Sequence, residues 1–240
     1  MFFPFSVCMV RDTIHVPVNS RVMGQARLQI MGCGDKFDDE QTPRPVVHVG
    51  LAGEGRISEF SDIMFTVLDT HVRVGGAIGS DMQVTGYTVL SSCVAASLLI
   101  HITPKASGYF ENMWVWMADT SAQEQVSVYA SRCVTIESSG PTWLWGTASE
   151  HSVMYQYNVV GAQGLFMGMI QTKSPYFQPV PLAPNPFTAG TFRGDPLCGS
   201  SLVWNKVSRI DSLTSNKEIG RWMRSTQTNI TGHCGRINVV

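Results

Sequence analysis

Residue types that could act on a sugar are concentrated between Glu111 and Gln178. The first piece of this stretch places Trp114 and Trp116 two residues apart, with Asp119 following. On a strand the two indoles share one face, because side chains alternate. Indole faces stack on the C–H surface of a pyranose ring, and a carboxylate accepts hydrogen bonds from its hydroxyls. The pattern predicts a sugar platform, with a pair of core tryptophans as the competing interpretation.

The second piece brings Glu150 and His151 together just after Gly146. The glycine predicts a tight corner, which would aim the Glu150 carboxylate at a groove. A lone glutamate at a turn is otherwise usually solvated. The third piece, residues 171–179, mixes amide, lysine and aromatic side chains, and Pro175 requires an extended residue before it. Amide and aromatic groups in this arrangement are typical of glycan contacts.

Composition narrows the classes of partner. The chain has 240 residues, of which 44% are hydrophobic, enough to bury a core. Charged residues make up only 15% and the net charge is −1, with no stripe of lysine and arginine. We therefore predict no nucleic-acid partner. No apolar run reaches the roughly 18–20 residues that cross a bilayer, so no membrane partner is predicted either.

The six cysteines are scattered and form no Cys-x-x-Cys pair, and no histidine lies at metal-ligand spacing. The sequence therefore predicts neither a metal site nor a cofactor. Buried thiols are favoured over disulfides unless the chain is exported. The apolar segment from Met1 to Val10 lacks a basic start and a small-residue cleavage site. It therefore predicts a strand and not a signal peptide.

Many short β-segments, separated by Gly, Pro, Asn and Ser, position these residues. Several lie roughly 20–25 residues apart, about one coil of a solenoid. Consecutive apolar positions and the absence of Asn-Gly or Asp-Gly turns favour a parallel stack, with an antiparallel sandwich as the open alternative. Asn216–Arg224 has the best helical character. The predicted strands are Thr13–Val18, Arg21–Met23, Val46–Val49, Ile63–Val67, Val72–Val74, Ser97–Ile102, Val126–Tyr129, Val153–Val159 and Leu165–Ile170.

Taken together, the three pieces resemble glycoside hydrolase family 55, exo-acting β-1,3-glucanases built from two β-helix domains in one chain. The matching motifs are Gly146–His151, Tyr155–Tyr157 and the run from Gln171 to Pro179. Residues 12–17, with Phe2-Phe3-Pro4 before them, are similar to a rung of the wider pectate-lyase-like superfamily. The resemblance implies a right-handed, single-stranded parallel β-helix.

The resemblance also implies a domain organisation. Residues 1–187 correspond to the second β-helix domain of the family, so the first domain, which forms the other wall of the cleft, is the expected protein partner. Residues 188–240 follow a proline-rich stretch from Pro175 to Pro186 and are expected to be a loosely ordered tail. The β-helix would then be incomplete at its C-terminal end. An extracellular location is implied by the family, although the chain shows no signal peptide.

The family implies inverting hydrolysis of β-1,3-glucan, in which one carboxylic acid protonates the leaving oxygen and a second carboxylate orients the attacking water. The two lie roughly 6.5–9.5 Å apart. Carried over by position, Glu150 matches the water-orienting glutamate, and Lys173 occupies the position of the family's general acid, a glutamate. The residues implied to bind substrate are Trp114, Trp116, Asp119, Gln171 and Tyr176.

Lys173 lowers the activity expected of this chain. An ammonium group rarely releases its proton to a glycosidic oxygen, and its charge opposes an oxocarbenium-like transition state. Loss of general acid catalysis typically costs on the order of 10²–10⁴ in rate. An ion pair between Lys173 and Glu150 would leave a groove that binds glucan without turnover. We therefore expect a weak or inactive glucanase, with a non-catalytic glycan-binding or vestigial β-helix as the alternative.

A polyuronide lyase on the same fold is a further alternative. Lys173 would then be a base, and Asp35, Asp38 and Asp39 would bind Ca²⁺ through oxygen ligands. Charge runs of this kind are more often solvated loops.

Overall fold

The computed structural model describes residues 1–37, 39, 41–51, 54, 58–63, 71–74, 93–117, 128–173, 175, 183–196 and 208–211. Every regular element in these ranges is a β-strand, so the all-β prediction is confirmed. Within the same ranges, no helix has the length and apolar character to span a bilayer. The helix predicted at Asn216–Arg224 lies outside the described residues.

The strands of the N-terminal part are short, with one exception of 12 residues. They are β1 (Phe2–Phe3), β2 (Val7–Val10), β3 (Ile14–Val16), β4 (Arg21–Gly32), β5 (Val47–Val49), β6 (Glu59–Ile63), β7 (His71–Val74) and β8 (Cys93–Ala96). The strands that follow are β9 (Ile100–Ile102), β10 (Gly108–Glu111), β11 (Trp114–Met117), β12 (Val128–Ala130), β13 (Arg132–Ile136), β14 (Thr142–Trp145), β15 (Ala148–Glu150), β16 (Tyr155–Val160), β17 (Leu165–Gly168), β18 (Gln171–Lys173) and β19 (Ser208–Asp211).

All pairings between these strands are parallel. Three sheets dominate, with the orders β9-β13-β16-β19, β10-β14-β17 and β7-β11-β15-β18. From β9 onward the chain visits these sheets in the same sequence three times, since β9, β10 and β11 are followed by β13, β14 and β15 and then by β16, β17 and β18. The predicted parallel pairing is confirmed, and the antiparallel sandwich is wrong.

One apolar cluster lies between the three sheets. Val134, Leu144 and Val115, one from each sheet, are fully buried and belong to it. Burying a side chain of this size contributes about 1.5–3 kcal/mol, so alternate positions of β11 and β14 are drawn inward. The remaining positions of β11 and β14 face away from the cluster and are available for a site, whereas β13 and β16 are buried along their whole length.

Three residues with a left-handed backbone conformation form the corner between the sheet of β10 and the sheet of β11. Asn112, Gly146 and Met169 follow β10, β14 and β17 with φ values of 51°, 62° and 51°. The Asn112 amide donates to the Trp145 carbonyl and the Gly146 amide to the Gly168 carbonyl, each at 3.0 Å. Glycine and asparagine adopt this conformation at low cost. The corner predicted at Gly146 is confirmed.

A buried ion pair ties residues 183–196 to β13. The Arg132 Nε and Nη2 atoms donate to the two carboxylate oxygens of Asp195 at 2.7 and 2.5 Å, and Nη2 also donates to the Thr188 carbonyl. The Arg132 side chain is fully buried, and Phe192 packs against its guanidinium. Phe187 is buried beside Tyr155 in the same region. Residues 188–196 are therefore held against β13 through Asp195, and the domain boundary at 187 stays a prediction.

We expect Arg132→Met to lower the free energy of unfolding by about 3–5 kcal/mol, because it leaves the Asp195 carboxylate buried without a countercharge. Chemical denaturation measures the loss. The double variant Arg132→Met/Asp195→Leu should recover much of it, since an apolar pair needs no countercharge. The matched control is Lys36→Met, which breaks an exposed ion pair with Asp12 and should change little. Equal losses of stability in Arg132→Met and Lys36→Met would show that the buried Arg132–Asp195 ion pair does not stabilise the fold more than an exposed one.

Candidate functional site

The outer face of the sheet β7-β11-β15-β18 carries the candidate site. The register places Arg73 opposite Trp116, Trp116 opposite Glu150, and Glu150 opposite Lys173. Paired residues of a parallel ladder point to the same face. Val115, the alternate position on β11, is fully buried in the core. Arg73, Trp116, Glu150 and Lys173 therefore form one row that faces away from the core, called here the Glu150 row.

A second row runs beside it. His71 lies opposite Trp114, Trp114 opposite Ala148, and Ala148 opposite Gln171. The small side chain of Ala148 leaves room above β15, and Gln171 uses this room to reach the Glu150 row. The Gln171 Nε2 atom donates to Oε1 of Glu150 at 2.6 Å. Three sequence-predicted substrate-binding residues, Trp114, Trp116 and Gln171, are thus placed next to the predicted catalytic glutamate.

Glu150 is buried and paired. Its side chain is 1% exposed, and its Oε2 atom lies 3.1 Å from Nζ of Lys173 and 3.8 Å from Nε2 of His151. A buried carboxylate requires a countercharge or hydrogen bonds, and Lys173 and Gln171 supply both. The predicted ion pair between Lys173 and Glu150 is confirmed. The lysine side chain is 40% exposed, so its ammonium lies between the carboxylate and solvent.

The ion pair alters what the carboxylate can do. In an inverting glycosidase a space of roughly 6.5–9.5 Å separates the acid from the water-orienting carboxylate. Lys173, which the resemblance places at the acid position, lies 3.1 Å from the Glu150 carboxylate and is a cation. In this arrangement the two groups are in direct contact, and the Glu150 carboxylate is neutralised.

The two tryptophans of β11 stack on each other. Their ring centroids are 4.4 Å apart with an interplanar angle of 12°, so each covers one face of the other. His71 meets Trp114 edge-on, and the Arg73 guanidinium lies 5.2 Å from the centre of the Trp116 ring. Both indoles are half-buried on the outer face and lie outside the apolar clusters of the described residues. The core interpretation is therefore wrong, and each indole has one ring face covered by the other.

Three buried polar atoms of these rows lack a hydrogen-bond partner among the described residues. They are the Nε1 atoms of Trp114 and Trp116, and Oε2 of Glu150, which contacts Lys173 as an ion pair without hydrogen-bond geometry. A buried donor or acceptor without a partner costs about 1–3 kcal/mol. Two donors and one acceptor concentrated in this way match a ligand that carries several hydroxyl groups.

Other predicted residues fall elsewhere. Asp119 and Tyr176, expected to bind substrate, and Asp38, from the Ca²⁺ alternative, lie outside the described residues. Asp39 is exposed, and its carboxylate accepts hydrogen bonds from the Thr42 hydroxyl and from the Gln41 and Thr42 amides. These bonds, that from the Thr42 side chain first, hold the pKa of Asp39 below its usual range. In the part of the chain with assigned positions, no three metal-ligating side chains form a group.

Sequence reasoning missed Arg73 as a residue of this region. Arg73 ends the Glu150 row, and its place inside the predicted strand Val72–Val74 was the available signal. Cys133 lies on the core side, with Sγ 2.8 Å from the Ser152 hydroxyl and 3.6 Å from the Glu150 carbonyl. Burial raises the pKa of this thiol, so Cys133 is a neutral packing group.

Comparisons with known proteins relate the chain to proteins named as β-1,3-glucanases. No protein-family model matches the chain. It is 35% identical over 233 residues to a "Glucan 1,3-beta-glucosidase" of Cochliobolus carbonum, covering 84% of this chain and 29% of that protein. It is 32% identical over 235 residues to a "Probable glucan endo-1,3-beta-glucosidase" of Arthroderma benhamiae, covering 83% and 27%.

A third relative carries a different name. The chain is 46% identical over 237 residues to "Non-secreted LysM effector LysM15" of Penicillium expansum, covering 84% of this chain and 17% of that protein. The chain therefore spans less than a third of the length of these relatives. The names support the predicted relationship to β-1,3-glucanases, while membership of family 55 and the second-domain assignment stay predictions. So does the extracellular location, since one relative is named non-secreted.

Removal of the Lys173 ammonium should destabilise the fold, because the buried Glu150 carboxylate then lacks its countercharge. We expect Lys173→Met to lower the free energy of unfolding by about 1–3 kcal/mol, less than for a fully buried pair because the lysine is partly exposed. Glu150→Gln should cost less, since an amide needs no countercharge. Chemical denaturation of both variants and of the double variant gives the coupling energy. Strictly additive losses would argue against the ion pair, and Lys105→Met, at an exposed lysine, is the control.

Proposed function

We propose that this chain is a right-handed parallel β-helix of glucanase ancestry, which binds β-1,3-glucan at the Glu150 row and hydrolyses it weakly or not at all. The ion pair between Glu150 and Lys173 carries the proposal. In it, a cation occupies the position from which a glucanase of the resembled family would deliver a proton. The wider cleft, including a wall from a further β-helix domain, belongs to the same proposal.

The strand order supports the β-helix. A chain that visits three sheets in a repeated order, always adding a parallel strand, winds around the core enclosed by the sheets. Parallel crossover connections are right-handed in about 98% of cases, which favours a right-handed winding. Each coil then repeats the same three faces, and the Glu150 row is the outer face of one of them.

Sugar binding is supported by the chemistry of the two rows. The indole N–H groups of Trp114 and Trp116 need acceptors, and Oε2 of Glu150 can accept a hydroxyl hydrogen. The exposed Gln171 and Lys173 add donors at the edge. The β-1,3-glucan specificity comes from the names of the relatives and from the motif resemblance.

Weak catalysis follows from the balance of charge. An oxocarbenium-like transition state needs negative charge nearby and a proton donor at the leaving oxygen. The ammonium of Lys173 cancels the charge of Glu150 and puts a cation where the resembled family has a carboxylic acid. The missing acid step alone costs on the order of 10²–10⁴ in rate.

Glucose release from laminarin tests the catalytic half of the proposal. We expect no detectable release by the natural chain and a measurable rate for Lys173→Glu, because two adjacent carboxylates raise the pKa of one of them and create a proton donor. Lys105→Glu makes the same charge change away from the site and should stay inactive. If the natural chain released glucose and Glu150→Gln abolished the release, the protein would be a working enzyme and this half of the proposal would be wrong.

Titration with a soluble β-1,3-linked hexasaccharide, followed by calorimetry, tests the binding half. We expect measurable binding by the natural chain that Trp116→Ala weakens about tenfold, which corresponds to 1.4 kcal/mol. Phe5→Ala removes an exposed aromatic ring from a distant strand connection and is the control. Absence of binding would leave a vestigial fold without a glycan site.

A further inference from the structure

A second set of aromatic residues lies on a different face of the molecule. The sheet β10-β14-β17 pairs Tyr109 with Trp143, and Trp143 with Phe166. It also pairs Glu111 with Trp145. The alternate residues of these strands, such as Leu144, are buried in the core. Tyr109, Glu111, Trp143, Trp145 and Phe166 therefore point outward together, and we call them the aromatic face.

The rings of this face are open to solvent. Tyr109 is 50% exposed, Trp143 44% and Trp145 40%. This contrasts with the half-buried, mutually stacked indoles beside the Glu150 row. Trp145 and Phe166 lie nearly parallel, with an interplanar angle of 14° and centroids 6.0 Å apart. Two neighbouring rings thus present flat surfaces with a common orientation.

Gly168 makes room for this arrangement. It lies opposite Trp145 in the ladder, and a Cβ atom built on it would come within 2.8 Å of two carbons of the indole ring. Any other residue there would push the ring away from the sheet. The glycine lets the indole of Trp145 lie against the backbone and keep a flat outer surface.

The polar edge of the face is also ordered. The Tyr109 hydroxyl donates to Oε2 of Glu111 at 2.9 Å, and this hydrogen bond raises the pKa of Tyr109. Glu111 is the one charged residue within the three strands, which the structure describes in full. A surface of flat rings with a single carboxylate at the edge suits a neutral ligand that has apolar faces and hydroxyl edges.

We propose that the aromatic face is a second glycan-binding surface, which holds an extended β-glucan chain independently of the Glu150 row. Rings on three successive strands span about 10 Å, since neighbouring strands lie about 4.8 Å apart, and a short run of pyranose rings covers that length. The face adjoins the sheet of the Glu150 row across the single corner at Asn112, Gly146 and Met169. The choice of glucan rests on the proposed function, whereas the sugar chemistry rests on the face itself.

Pelleting with insoluble linear β-1,3-glucan tests the surface. We expect the double variant Trp143→Ala/Trp145→Ala to lose about tenfold or more in apparent affinity for the polymer. The same variant should keep the Trp116-dependent binding of the soluble hexasaccharide, because the Glu150 row is untouched. Phe2→Ala/Phe5→Ala removes two comparably exposed rings elsewhere and should pellet normally. Thermal unfolding checks that each variant is folded, and Tyr109→Ser/Phe166→Ser is a second pair of changes on the same face.

The outcomes separate this inference from the proposed function. Unchanged pelleting of both face variants, with hexasaccharide binding that depends on Trp116, would overturn the second surface alone. Absence of binding to either glucan would overturn both proposals. If sedimentation showed a dimer of the natural chain that Trp143→Ala/Trp145→Ala dissociates, the face would be a contact between two copies, and the glycan surface would be wrong.

Discussion

The register of the parallel ladders is the constraint on which the rest of the structure depends. Each strand pairs with the strand beside it in its sheet, so residues from distant parts of the chain become neighbours whenever they hold the same position in their strands. Glu150 meets Lys173 in this way, and Trp143 meets Phe166. A shift of one residue would turn Glu150 toward the core and Ser149 outward, since alternate side chains point to opposite faces.

Two buried carboxylates, those of Asp195 and Glu150, each need a cationic partner, but the two ion pairs have different roles. Asp195 is enclosed by Arg132 and by backbone amides, and their contact tethers residues 183–196 to the sheet. Glu150 is enclosed by Gln171 and Lys173 on an outer face, where a ligand can approach. Both carboxylates have a cationic partner, because a buried charge without one is expensive. The first pairing supports the fold, and the second neutralises Glu150 at the candidate site.

The two Trp-x-Trp motifs are alike in sequence and differ in surroundings. In β11 the indoles stack on each other beneath Arg73 and His71, with their N–H groups buried. In β14 the indoles stand open, one of them laid over Gly168. Strand periodicity predicts that each pair shares a face, and it does. Which pair is exposed depends on the residues that the neighbouring strands place opposite, such as Arg73 for Trp116 and Gly168 for Trp145.

Much of the strand pattern could be predicted from the chain itself: Val46–Val49 and Val72–Val74 correspond closely to β5 and β7, and the absence of hairpin turns indicated parallel pairing. The contact of Lys173 with Glu150 could also be predicted, because the resembled family has its two catalytic carboxylates at these positions. The strands β10, β14 and β15 were missed because their outward positions hold aromatic or charged residues, which weakens the apolar signal. Local sequence determined periodicity, corners and candidate residues, whereas the tertiary structure decided which side chains are buried, stacked or paired. The reason is that burial and pairing depend on the neighbouring strand of the sheet, which lies many residues away along the chain.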